Sequence, residues 1–150
     1  MSDEYITWDK YMSDIEKLAV KIADNNYDFD QIVCIAKGGL RGNSLAKTTP
    51  NLGSKVLLLD DLCDSGVTME KCVKWLQHYH GFFIDDIKTG CLWVKGVSKF
   101  TPDYYVEYYE DSPWIHQPME EYEDMNIQEV KKKIQAQDPA HNQSAFKGSA

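Results

Sequence analysis

The sequence predicts an α/β fold: a mainly parallel sheet flanked by helices. Two observations carry this. Short, continuous apolar runs occur at QIVCIA (31–36), KVLLL (55–59) and TGCLWV (89–94). Such runs suit strands covered on both faces, as in parallel sheets. Segments with helical spacing separate them, so strand, helix and strand alternate along the chain.

Each element has its own signal. Trp8, Tyr11, Ile15, Leu18, Ala19 and Ile22 recur at helical spacing, which predicts a helix over 7–25. Thr7 can cap its start, and Asn25-Asn26 ends it. The strand at 31–36 follows, then a turn at Lys37-Gly38-Gly39-Leu40. Pro50 and Gly53 restrict any helix before the next strand to about 41–47. After the strand at 55–59 comes a helix over 66–80, with Met69, Cys72, Val73 and Leu76 on one face. The strand at 89–94 is apolar. The one expected at 104–109 is polar and aromatic, which suits an edge. Trp8 and Trp93 are expected in the core. From residue 126 the chain turns polar, which predicts a solvent-facing helix and then a disordered tail. The expected division is one domain over 1–125 and a tail over 126–150.

Composition narrows the function. A chain of 150 residues suits one domain with one core. The net charge of -8 argues against nucleic acid as a partner, because phosphate backbones are bound by basic surfaces. No apolar run approaches the roughly 20 residues that cross a bilayer, so no membrane insertion is expected. Cys34, Cys63, Cys72 and Cys91 form no C-x-x-C pair and read as buried free thiols of a cytoplasmic protein. His78 and His80 lack the further ligands a metal site needs.

The chemistry concentrates in VLLLDDLCDSGVT (56–68). In open parallel sheets, ligands bind beyond the carboxyl ends of the strands. Asp60 and Asp61 stand at such an end. Asp64, Ser65, Gly66, Val67 and Thr68 then lead into a helix, whose start favours an anion. One loop therefore offers a phosphate cradle with vicinal carboxylates beside it. Such carboxylates can hold the paired hydroxyls of a ribose, directly or through Mg2+. The D-D-x-x-D spacing does not fit the D-x-D-x-[TV] of aspartyl phosphatases, and no G-x-x-x-x-G-K-[ST] loop exists in the chain.

This string resembles the phosphoribosyl pyrophosphate (PRPP) motif of the type I phosphoribosyltransferases. The segments YITWDKYMSDIEKLA, IVCIAKGGL and WVKGVSKFTPDYYVEYYEDSPWIHQPME occur in the order seen in the purine, xanthine–guanine subgroup. The resemblance covers most of residues 5 to 120. It implies a Rossmann-like three-layer domain that transfers 5-phosphoribosyl from PRPP to a 6-oxopurine, with Mg2+ and release of pyrophosphate. It implies PRPP binding by Lys37, Gly38, Gly39, Asp60, Asp61, Ser65, Gly66, Val67 and Thr68, with Asp60 and Asp61 also facing the metal. Asp64 is implied as the catalytic proton acceptor near the purine. Lys95 is implied to reach its 6-oxo group, Trp114 to stack on it, and the Ile115 backbone to meet its exocyclic group. His116 is given no role. A homo-oligomer is the family's habit.

The pattern breaks in one place. Only fourteen residues separate Leu40 from Lys55. The family carries a helix, a core strand and a closing loop there, so a lost core strand, a lost loop and an exposed sheet edge are expected. Three readings are open: a minimal purine phosphoribosyltransferase, a noncatalytic binder of PRPP or a nucleotide, or a shortened relative with neither property. Asp64, Lys95 and Trp114 together favour the first, because a PRPP sensor has no need of a base site.

Overall fold

A computed structural model describes residues 3–35 and 53–137. The expected 41–47 helix, the Lys37-Gly38-Gly39 turn and the tail beyond residue 137 lie outside the described residues. The elements are β1 (Glu4–Tyr5), α1 (Trp8–Asp24), β2 (Gln31–Cys34), β3 (Lys55–Leu59), β4 (Leu62–Cys63) and α2 (Val67–His80). Then come β5 (Asp86–Lys95), β6 (Tyr104–Tyr109), β7 (Ile115–His116), α3 (Glu120–Glu123) and α4 (Ile127–Gln137).

Five strands form one parallel sheet. Strand β3 lies between β2 and β5, and β6 pairs the opposite side of β5. β3 and β4 are one strand interrupted: Leu59 faces Gly90 and Leu62 faces Trp93, so the register to β5 is unchanged across the gap. The interruption is Asp60-Asp61. The Asp61 carbonyl accepts from both Leu92 N–H (3.0 Å) and Trp93 N–H (3.2 Å). Opposite that point the face alternation of β5 slips: Leu92 and Trp93 both join the α1-side core, while Cys91 and Val94 join the α2-side core.

The two cores explain the three layers. Along β3, Val56 and Leu58 pack with Met69, Cys72 and Leu76 of α2, and Leu57 packs with Leu18 and Ile22 of α1. That is the period-two alternation of a strand covered on both faces. Helix α1 is capped by the Thr7 hydroxyl, which accepts from Lys10 N–H at 3.2 Å. Its buried positions, Asp14, Leu18 and Ile22, fall four residues apart. The buried Asp14 accepts from the Trp93 indole N–H (2.9 Å) and from Lys10 (2.9 Å), so a charge inside this core is matched. A separate two-stranded pairing joins β1 to β7.

Two placements differ from the sequence expectation. Trp8 is 48% exposed and meets Tyr11 edge-on instead of entering the core, because it lies at the very start of α1. Cys34 is exposed, unlike the other three free thiols. Among the described residues β2 pairs only with β3, and its Ile32, like Cys34, is exposed. Helix α4 buries no residue. Lys133 of its KKK run bonds Glu121 at 2.7 Å and the Tyr122 hydroxyl at 2.8 Å, tethering α4 to α3. No helix among the described residues is long and apolar enough to cross a membrane.

Candidate active site

A cavity of about 680 Å³ opens at the carboxyl ends of β2 and β3. Its polar lining includes Asp60, Asp61, Asp64, Ser65, Thr68 and Gln117. The sequence-predicted loop therefore forms one wall of a hollow at the sheet end where open parallel sheets bind ligands.

The acidic pair is built by the interruption of the strand. Asp61 N–H donates to Asp60 Oδ1 (2.9 Å), and Leu62 N–H donates to Asp61 Oδ1 (2.7 Å). The Gln117 carboxamide donates to Asp61 Oδ2 at 2.5 Å. Both Asp61 oxygens are thus held by protein donors. Burial, and then the neighbouring Asp61 carboxylate, push the Asp60 carboxyl up to about 7. Two hard oxygen donors side by side suit Mg2+, which takes one or two carboxylates and completes its shell with water and substrate oxygens. Among the described residues no group of three or more acidic, His or Cys side chains could cage a metal alone. Any Mg2+ at Asp60 and Asp61 would therefore take the rest of its shell from water and substrate oxygens.

The phosphate cradle follows. Gly66 caps α2 with φ of 80°, the left-handed region that favours glycine. A Cβ there would stand 2.6 Å from Ser98 Oγ and 2.7 Å from the Phe100 backbone N. The helix start has no side-chain cap; Val67 N–H reaches Ser65 Oγ only at 3.4 Å. The first-turn N–H groups are thus available to an anion, with the helix dipole behind them.

On the other side of Asp64 stands Lys95, the last residue of β5. Lys95 Nζ pairs with Asp64 Oδ2 at 3.0 Å; the lysine side chain is 6% exposed and the aspartate 53%. The same Nζ lies 5.4 Å from the centre of the Trp114 ring. Trp114 is 60% exposed, so its indole face is open to a ligand. Ile115 begins β7; its side chain is buried in the α1-side core. The structure thus brings Asp64, Lys95 and Trp114 together. Lys37, Gly38 and Gly39 lie outside the described residues, although Ile35, two residues before them, lines the cavity. His116 stacks on Tyr5 (4.4 Å) and faces Asp3 (3.2 Å), away from the acidic pair. Gln117 is the residue that sequence reasoning missed. Its only sequence signal is its place in the PWIHQP string.

A family model described as the phosphoribosyl transferase domain matches residues 41–124. The chain belongs to that family. Solved structures agree on its fold. A purine phosphoribosyltransferase from Pyrococcus horikoshii is 27% identical at TM-score 0.62, covering 84% of this chain and 99% of its own. The xanthine–guanine–hypoxanthine phosphoribosyltransferase of Helicobacter pylori is 18% identical at TM-score 0.61, covering 91% of this chain and 100% of its own. A hypothetical protein from Neisseria gonorrhoeae with bound ppGpp is 21% identical at TM-score 0.61, covering 92% of this chain and 99% of its own. The last two are similar in fold alone. This phosphoribosyltransferase-family chain has the parallel sheet flanked by helices of the type I fold, with its acidic loop at the usual ligand-binding end.

Proposed function

We propose that this protein is a 6-oxopurine phosphoribosyltransferase. The reaction joins the base, guanine, xanthine or hypoxanthine, to the anomeric carbon of PRPP. The observation that carries this reading is the grouping of Asp64, Lys95 and Trp114 beside the acidic pair. A site for PRPP alone has no use for a buried lysine next to an open indole.

Each group has a task that its chemistry suits. The α2 start, with Ser65, Gly66, Val67 and Thr68, holds the 5-phosphate. Asp60 faces the ribose hydroxyls, while Asp61 is fixed by Leu62 and Gln117. The bond from the anomeric carbon to the pyrophosphate oxygen breaks, and its electron pair leaves on pyrophosphate. The nearby carboxylates stabilise the positive charge left on the sugar. The purine nitrogen forms the new bond, and its proton passes to Asp64. Lys95 donates to the 6-oxo group, which a 6-amino base cannot match because it presents donors. Trp114 stacks on the ring, and the Ile115 backbone meets the exocyclic group. Asp60 and Asp61 would hold Mg2+ together with the substrate, and the ion would supply charge neutralisation for the leaving pyrophosphate. The reading carries with it a cytoplasmic salvage role and a homo-oligomeric state.

The test is direct. Incubate the protein with PRPP, Mg2+ and each base in turn, and follow nucleotide and pyrophosphate formation. Nucleotide from at least one 6-oxopurine and none from adenine is the expected result. PRPP binding without product from any base would replace this reading with that of a noncatalytic binder. Binding of neither substrate would sink both.

A further inference from the structure

Residues 114–117 form a strap that ends at Gln117, a lining residue of the cavity. Its entry is fixed: Ser112, at φ of 52°, accepts from Val97 N–H with its hydroxyl at 3.0 Å. β7 then anchors it on β1, with Trp114 and His116 carbonyls accepting from Glu4 and Ile6 N–H. The strap touches the acidic loop through two rungs. One is indirect: the Trp114 ring to Lys95 at 5.4 Å, and Lys95 to Asp64 at 3.0 Å. The other is direct, from Gln117 Nε2 to Asp61 Oδ2 at 2.5 Å.

Gln117 is 8% exposed, and its Oε1 is buried with no hydrogen-bond partner among the described residues. The penalty of an unmet buried acceptor is of the same order as the gain from one charge-assisted bond. The side chain therefore adds little net stability, and its role lies in where it holds Asp61. If a 6-oxopurine takes the Lys95 ammonium from Asp64, the first rung opens. Gln117 then still ties the strap that carries the base to the loop that carries the sugar.

We propose that Gln117 is a positioning residue that couples the base half of the site, at Lys95 and Trp114, to the sugar-phosphate half in the cavity. Filling either half strengthens binding in the other, by the same factor in both directions. This rests on the 6-oxopurine reading above and adds a residue to it.

The test is calorimetry on the full chain with Mg2+, using ribose 5-phosphate and hypoxanthine, a pair that cannot react. Wild type should bind ribose 5-phosphate at least about fivefold more tightly when hypoxanthine is saturating. Gln117→Met and Gln117→Leu keep much of the side chain's bulk and lack the donor. In each, the factor should fall to within about twofold of unity while the affinity for hypoxanthine alone is kept. A merely structural role would lower the melting temperature and leave the factor unchanged. Should one variant fail to fold, the other reads the same quantity. Coupling retained in a folded variant, or none in a wild type that binds both ligands, overturns the proposal. A wild type that binds neither ligand overturns the 6-oxopurine reading instead, and the proposal with it.

Discussion

The substitution Asp60→Asn should stabilise the metal-free protein at high pH while removing its function. The Asp60 carboxyl is raised to about 7, first by burial and then by Asp61. An unfolded chain would hold it near 3.9. A group raised in the folded state stabilises fully below its unfolded value, and that contribution is lost as pH rises through the folded value. Between pH 5 and pH 7 the loss is about 1.4 kcal/mol per pH unit, and above 7 it levels off. Partial solvation reduces the whole to about 2 kcal/mol between pH 5 and pH 8. An asparagine side chain cannot ionise, so the variant escapes this loss. In a chain of this size the difference amounts to about 4–8 °C in melting temperature. The assay is thermal unfolding by circular dichroism at pH 5 and pH 8 with chelator present. The Asp60→Asn variant should gain on wild type as pH rises, and should fail to bind PRPP with Mg2+ at either pH. A melting-temperature gap that is flat or shrinks from pH 5 to pH 8 would refute the reasoning.

Three further outcomes are expected. Gly66→Ala forces a side chain into a left-handed residue against Ser98 and Phe100, and should cost at least about 1–2 kcal/mol in urea unfolding, with loss of ribose 5-phosphate binding. Asp64→Asn should lower kcat by about 100-fold or more while PRPP affinity changes little; equal loss of both would contradict its place near the base. Trp114→Ala should raise the KM for the base by about 5- to 150-fold, from a stacking contribution of about 1–3 kcal/mol, and leave the melting temperature nearly unchanged because the indole is exposed; steady-state kinetics and a melt check both parts.

How much was legible follows from how local each signal is. Helix α1 runs Trp8–Asp24 against an expected 7–25, because its cap and its apolar stripe lie in one short window. β3 matches 55–59 for the same reason. β5 begins three residues early, at Asp86, since Asp86-Ile87-Lys88 alternates in polarity and hides beside the apolar run. The pairing of β1 with β7 joins residues more than a hundred positions apart, and nothing in two-residue strands announces it. The acidic loop was readable as chemistry because all its parts are contiguous. Lys95 and Trp114 entered only through resemblance; their meeting with Asp64 depends on how β5 and the strap return to the same corner. Gln117 reaches Asp61 across 56 positions, so only the folded chain reveals the bond.

One feature of the site looks unfavourable to the proposed reaction: Lys95 and Asp64, both proposed to act on the base, are bonded to each other. The magnitudes resolve this. Asp64 is more than half exposed, and an ion pair with one such partner contributes on the order of 0–1 kcal/mol. A base entering between them gains about 1–3 kcal/mol from Trp114 alone. Lys95, nearly buried, could not be left without an acceptor. A 6-oxo group replaces the carboxylate oxygen with a carbonyl oxygen, so the ammonium keeps a partner while Asp64 is freed to take the purine proton. A 6-amino base offers no acceptor at that position, so Lys95 must stay with Asp64, and the proton acceptor stays occupied. The resting ion pair therefore does not block the reaction. It makes release of Asp64, the proposed proton acceptor, conditional on the oxygen that defines the proposed substrate.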